Sequence, residues 1–329
     1  AIEGSRVTSE EERTVKAHGA EFIGFSAGRL QRHISVSALW SLIKIPLGFI
    51  SAAAILLRTR PSVIVSFGGY VAHPVVVWGF FLGIPVVTHE QTRVPGLANR
   101  IIAKLSRRVG VSFADMIDLF PKGKAVFTGL PLRRIIFHPP ASGPWEIAPG
   151  DVLYITGGST GARSLNAIVY EALPELLSRM TVVHQTGRLS YADALEIKKN
   201  LPKNIRSRYM PVAYLDAEEH AWILARARLI VGRSGANTVG EIAATGKTAL
   251  FIPLPWSSGG EQEANAQWLA HLGSATVARQ QTLTPKKLSS QVLSMLRDEA
   301  RYKTAALKAL GAVKKDGAAR LLTEIETVL

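Results

Sequence analysis

One pattern limits the fold more than any other: short apolar runs alternate with longer helical stretches, in two successive series. In the first series SVIVSF (62–67), IPVVTHE (84–90), RVGVSF (108–113) and KAVFTG (124–129) read as strands. VVVWGFFLG (75–83) and LANRIIAKLSRR (97–108) read as helices between them. In the second, DVLYITGG (151–158), MTVVHQTG (180–187), RLIVGRSG (228–235) and TALFIPLP (248–255) read as strands. ARSLNAIVYEALPELL (162–177) and ANTVGEIAATG (236–246) read as helices, and IRSRYMPVAY leads into a further helix through Trp222. A strand that is apolar along its whole length is buried on both faces, which means a parallel sheet covered by helices. LPLRRIIFHPPASGPWEIAPG (130–150), rich in Pro and Gly, reads as a linker. The expected architecture is therefore two α/β domains with a cleft between them, and 329 residues suffice for both. Ligands of such sheets sit at the carboxyl ends of the strands.

Charge narrows the partner. Lys and Arg number 39 against 25 Asp and Glu, a net charge of +14, which favours an anionic partner. The basic residues are scattered rather than interleaved with aromatics, and no zinc-finger or RNA-recognition signature occurs, so nucleic acid is not the expected partner. The absence of cysteine excludes disulfides, thiolate zinc sites and a cysteine nucleophile. No His–carboxylate cluster has metal-ligand spacing, and no GxSxG elbow is present. Ile34 to Leu57 is about long enough to span a bilayer, but Lys44 and Pro46 interrupt it and basic residues flank both sides. It reads as a membrane-surface patch around Trp40, Ile43, Lys44 and Phe49, with a buried amphipathic helix pair or a spanning helix as alternatives. The opening AIEGSRVTSEEERTVKAHGAEF is polar, lacks an initiator Met, and reads like the middle of a loop, so upstream sequence is expected to be missing.

Chemistry concentrates in the turns that follow the strands. In ITGGSTGARSLN, Gly157, Gly158 and Gly161 let the backbone approach a ligand, and the following helix N-terminus attracts a diphosphate, with Ser159 adding a hydroxyl. The spacing matches neither the Walker pattern nor a complete dinucleotide fingerprint. GRSGANTVGEIAATGK repeats the strand–turn–helix plan and carries Glu241, whose carboxylate could accept both hydroxyls of a ribose. Gln262 and Asn265 share a helix face and suit sugar hydroxyls, or else cap the helix. In the first series, FGGYVAHP and THEQTRVPGLANR offer His73, His89 and Glu90 as candidate bases, although a histidine in such a turn is more often a structural hydrogen-bonder. Arg133, beside the cleft, could neutralise a leaving diphosphate or be a solvated linker charge.

Taken in order, these segments resemble the MurG family of bacterial glycosyltransferases. The similar stretches are IEG with AGRLQRH, VIVSFGGYVAHP, IPVVTHEQTRVPGLANR, TGLPLR, ITGGSTGARSLN, VGRSGANTVGEIAATGK and EQEANA. The resemblance implies a GT-B fold. Residues 1–132 with helix 314–329 would form an acceptor- and membrane-binding domain, and 133–313 a UDP-sugar domain. It implies transfer of N-acetylglucosamine from UDP-N-acetylglucosamine to undecaprenyl-diphospho-N-acetylmuramoyl-pentapeptide, the lipid I to lipid II step of peptidoglycan synthesis. It implies no cofactor, no bound metal, and a peripheral place on the cytoplasmic face of the bacterial inner membrane. Thr92, Arg133, Ser159, Leu215, Ala236, Asn237, Thr238, Glu241, Gln262 and Asn265 match donor-site positions, and Gly68, Gly69 and Tyr70 the acceptor side. Thr92 stands where many members have Asn. The family's GGTGGH loop, which carries its usual base candidate, has no counterpart in this sequence, so the first sheet is expected to lack its first strand. The alternatives are a GT-B transferase for another lipid or sugar acceptor, or a non-catalytic UDP-sugar-binding protein.

Overall fold

The computed structural model describes residues 10–25, 36–147, 152–158 and 161–329, with side chains described from residue 12 to 25 and from 45 onward within those ranges. Helices α1 (Glu10–Ala17) and α2 (Val36–Thr59) precede the first sheet. That sheet is built from β1 (Ile64–Ser66), α3 (Ala72–Phe81), β2 (Val86–Glu90), α4 (Leu97–Leu105), β3 (Arg108–Val111) and β4 (Ala125–Phe127). Its strands run parallel in the order β1-β2-β3-β4.

The stretch is not the helix pair that stood as an alternative: from Val36 to Thr59 it is one helix, α2, which continues through Pro46. The ring removes one backbone hydrogen bond. Beyond the proline, Leu56 joins Ile64, Val76, Val86 and Ile102 in a buried cluster, and this packing holds the helix on its course. No helix among the described residues is long and apolar enough to cross a membrane.

The second domain contains β5 (Val152–Thr156), α5 (Arg163–Leu177), β6 (Thr181–Gln185), α6 (Tyr191–Asn200), α7 (Lys203–Arg206), β7 (Tyr209–Val212), α8 (Ala217–Arg226), β8 (Leu229–Gly232), α9 (Ala236–Ala244) and β9 (Ala249–Phe251). It continues with α10 (Glu261–His271), β10 (Ala275–Val277), α11 (Pro285–Arg297) and α12 (Glu299–Gly311). Its six parallel strands lie in the order β10-β9-β8-β5-β6-β7. The chain therefore leaves β5 in one direction across the sheet and returns to β8 on its other side. β5 and β8 are neighbours at the point where strand order reverses, where a crevice opens between their following loops.

Both faces of this sheet are filled. Leu165, Leu173, Leu176 and Leu177 of α5 cover one side, and Trp222, Val239, Ile242 and Leu269 cover the other. The linker is not loose: Ile136 is buried in the second core, and Trp145 lies against Trp222 with ring centroids 5.8 Å apart. A last helix, α13 (Gly317–Glu326), returns to the first domain and packs on β2 and β3. Its Gly317 is required, since a Cβ there would sit 2.5 Å from the Leu130 carbonyl oxygen.

Candidate active site

The turns after β5 and β8 meet at the reversal point. Gly161 has φ +74°, and a Cβ on it would lie 2.5 Å from the Thr186 carbonyl oxygen. Only glycine fits that approach. Gly161 N–H donates to Gly158 O (3.1 Å), closing a tight turn. Among the described residues, no side chain caps the start of α5 or of α9. Ser159 lies outside the described residues.

A cavity of about 370 Å³ opens beside this turn. Gly158, Leu215, Asn237, Thr238, Glu241 and Arg133 line it, which brings together six of the residues singled out in the sequence. Ala236 begins the helix that carries three of them. Another cavity, about 480 Å³, opens at the opposite strand ends, by Val152 and Leu229, away from both glycine turns.

Glu241 is the electrostatic centre of the site. Arg133 Nη2 donates to its Oε1 at 3.0 Å, and His220 Nε2 lies 2.9 Å from its Oε2. Burial pushes this carboxyl up, but the hydrogen bond and charge of His220, with Arg133, outweigh burial and hold it below the ordinary carboxylate range. Glu241 is therefore an ionised, acceptor-only group. Arg133 is half-exposed, at 49%, so its guanidinium is free to turn to another anion.

Other residues around the cavity were not legible as a motif. Thr156, Gln185, Tyr214 and His220 line it. Thr156 and Gln185 end β5 and β6, as the strand-end rule predicts for ligand-facing positions. His220 comes from α8, whose start is fixed by Asp216: its carboxylate accepts from Glu218 N–H and Glu219 N–H, and Glu219 bonds back to Asp216 N–H. The run DAEE carries that capping signal in the sequence. Arg233, buried, donates to Ile252 O (2.8 Å) and Ser164 Oγ (3.1 Å), tying the β8 turn to the first turn of α5.

Several expected contacts are committed elsewhere. Asn265 is fully buried: its Oδ1 accepts from Arg93 N–H of the first domain (3.1 Å) and its Nδ2 donates to Ser234 O (3.2 Å). It bridges the domains instead of presenting its amide to a sugar. Gln262 Oε1 accepts from Leu254 N–H (2.9 Å), which leaves its Nε2 as the group available to a ligand. The Thr92 hydroxyl bonds to Glu90 Oε1 (2.9 Å) and Val94 O (3.1 Å), within its own turn.

Of the three base candidates, His89 and Glu90 are hydrogen-bonded within the first domain. His89 is buried and its Nε2 is bonded to Gly129 O (2.9 Å); burial, opposed by that bond, lowers its pKa. It is a structural hydrogen-bonder. Glu90 is buried, with Oε1 held by Thr92 and Oε2 by Asn99 Nδ2 (2.7 Å). His73 stands edge-on to Phe49, 6.0 Å between ring centroids, with its pKa lowered by burial. On the acceptor side, Asn99 Oδ1 takes Gly69 N–H (2.9 Å), and a Cβ on Gly68 would collide with Asn99 at 2.4 Å. Tyr70 beside them is partly exposed.

Trp40, Ile43 and Lys44 lie on α2, with side chains outside the described set. Phe49 is half-buried and stands edge-on to His73. Leu47, Ile50 and Leu57 of α2 are exposed, and so are Phe80, Phe81 and Leu97 on α3 and α4.

Two facing parallel-sheet domains, with a glycine turn and a buried carboxylate at the reversal point of the second, define a GT-B glycosyltransferase. The glycosyltransferase family 28 N-terminal domain matches residues 7–111, and the family 28 C-terminal domain residues 152–321. The chain is 36% identical over 276 residues to a Treponema denticola protein named UDP-N-acetylglucosamine--N-acetylmuramyl-(pentapeptide) pyrophosphoryl-undecaprenol N-acetylglucosamine transferase, covering 80% of this chain and 70% of that one. It is 35% identical over 314 residues to the Desulfitobacterium hafniense protein of the same name, covering 93% and 85%. The crystal structure of Acinetobacter baumannii MurG superposes with a TM-score of 0.69 at 26% identity, over 97% of this chain and 88% of that one. The chain belongs to the MurG family of glycosyltransferases.

Proposed function

We propose that the chain transfers N-acetylglucosamine from UDP-N-acetylglucosamine to a lipid-linked N-acetylmuramoyl-pentapeptide, with inversion at the anomeric carbon. The observation that carries this reading is the cavity that Glu241 lines together with Gly158 of the glycine turn. One end offers an ionised carboxylate to ribose hydroxyls. The other offers the N-terminus of α5, with its helix dipole, to a diphosphate. Leu215, Asn237 and Thr238 enclose the nucleotide between them, and the free Gln262 amide is the group for the sugar.

The acceptor 4-hydroxyl attacks the anomeric carbon as the bond to UDP breaks. Negative charge grows on the leaving diphosphate. Arg133 turns from Glu241 to meet it, together with the start of α5. The reading assigns no cofactor, because the chain's own groups supply this positive charge. The proton of the attacking hydroxyl goes to a general base. Neither His89 nor Glu90 is that base, as both are hydrogen-bonded within the first domain.

The acceptor is delivered from a bilayer. Exposed Leu47, Ile50, Phe80, Phe81 and Leu97 on α2, α3 and α4, with Arg58 on α2 and Arg100 and Lys104 on α4, supply apolar surface with basic neighbours. This is the composition of a protein lying on an anionic membrane. The net charge of +14 then serves the membrane and the anionic acceptor rather than nucleic acid. Because UDP-sugars are cytosolic substrates, the face is the cytoplasmic one.

The test is UDP release from UDP-N-acetylglucosamine with and without a short-chain lipid I analogue. The expected result is acceptor-dependent release, with one N-acetylglucosamine joined to the muramoyl 4-hydroxyl. Tight UDP binding without transfer would instead make this a donor-binding protein.

A further inference from the structure

His220 belongs to no motif, yet it stands between the two halves of the nucleotide pocket. Its Nε2 is 2.9 Å from Glu241 Oε2, and its Nδ1 is 3.2 Å from the Tyr154 hydroxyl. Tyr154 OH donates to Gln185 Oε1 at 2.7 Å, and Thr156 Oγ1 reaches the same oxygen at 3.1 Å. Thr156 Oγ1 in turn accepts from Gly158 N–H at 3.0 Å. A continuous line of side chains therefore runs from the carboxylate on α9 to the turn that faces the diphosphate.

The interior of this line is buried: Tyr154, Thr156 and Gln185 are each 5% exposed or less. Burial pushes the Tyr154 phenol well above its ordinary pKa, so it keeps its proton and stays a donor. Glu241 is ionised and accepts only. Whichever way the Gln185 amide is oriented, His220 donates from Nε2 to Glu241. The two partners of Glu241 differ in freedom. The Arg133 side chain is 49% exposed, and that of His220 is 15%. Arg133 is able to leave for the diphosphate. His220 is walled in and stays.

We propose that His220 is a positioning residue for the nucleotide ribose. It holds one oxygen of Glu241 so that the carboxylate keeps its plane when Arg133 departs. Through Tyr154, Gln185 and Thr156 it also ties that carboxylate to the phosphate turn. This rests on the reading of Glu241 as the ribose-binding group.

The experiment compares binding of UDP and 2′-deoxy-UDP by calorimetry in the full chain, with a thermal melt for each variant. The wild type prefers UDP by about tenfold, the worth of one hydrogen bond to a charged group. His220→Phe keeps a ring and loses both nitrogens; its preference falls towards unity while affinity for 2′-deoxy-UDP changes little. His220→Gln keeps an amide donor near the Nε2 position and restores most of the preference. Tyr154→Phe removes only the linking hydroxyl and gives a smaller loss in the same direction, from a variant whose packing is unchanged. In turnover, His220→Phe raises KM for UDP-N-acetylglucosamine with kcat nearly unchanged. Full preference for UDP in a folded His220→Phe protein, or in Tyr154→Phe should that variant alone fold, would overturn the inference and leave Glu241 standing. A wild type that does not distinguish the two nucleotides would overturn the reading of Glu241 and the inference with it.

Discussion

The two sheets share one plan and use their apolar residues differently. The second domain spends them inward. α5 and α11 close one face over Leu165, Leu173 and Val292, and α8, α9 and α10 close the other. The first domain has two much smaller buried clusters, and its helices keep Leu47, Ile50, Phe80, Phe81 and Leu97 at the surface. On the function proposed above, the well-packed sheet frames the nucleotide, and the other keeps its apolar surface for the membrane that holds the acceptor.

The largest expected effect tests the frame. Leu173→Ala, in the larger core, lowers stability by about 3 kcal/mol through lost burial and a residual cavity, as read by chemical denaturation. A loss under about 1 kcal/mol would mean that the second sheet is no better packed than the first. Next is Glu241→Ala, which lowers kcat/KM for the donor by about thirtyfold, or about 2 kcal/mol. Unchanged donor kinetics would move the nucleotide out of the second domain altogether.

A pH titration sharpens the comparison further. Burial lowers His184 from 6.5 to about 3, and both its ring nitrogens are already engaged, with Tyr209 and Asn166. The unfolded chain takes up a proton below 6.5 that the native state refuses. The contribution of His184 is therefore fully present above pH 6.5. It is lost as pH falls towards 3, by at most about 1.4 kcal/mol per pH unit. His184→Gln should flatten that slope, and an identical acid limb in the variant would assign the loss to another group.

The smallest effect belongs to the membrane face. Phe81→Ser weakens sedimentation with anionic vesicles by about fivefold, or about 1 kcal/mol, and leaves UDP binding untouched. Equal vesicle binding would show that the exposed aromatics of α3 are not what reaches the bilayer.

Much of the frame was legible in the sequence because buried parallel strands and glycine turns write themselves locally. Two edge strands were not. β7 contains Pro211, which lacks a ladder donor and is accommodated on a strand paired on one side only. β10 is three residues long and shows no period. The site was legible where one motif held it, as with Glu241 and the Gly157–Gly161 turn. It was not where side chains from separate elements converge. Asn265 and Thr92 are the right residue types for a sugar, but tertiary packing uses the first to join the domains and the second to close a turn. His220 gave no signal, because its contact with Glu241 forms only when α8 meets α9 in the folded chain.

The last helix bears on how the protein is made. α13 packs on β2 and β3, yet it lies downstream of the entire second domain. During synthesis the first sheet leaves the ribosome early and must wait, partly uncovered, until residues 317–326 arrive. The face of β2 and β3 that α13 later covers is vulnerable to aggregation in that interval. The domain made first is thus completed last, and the two domains mature as one unit rather than in the order of their translation.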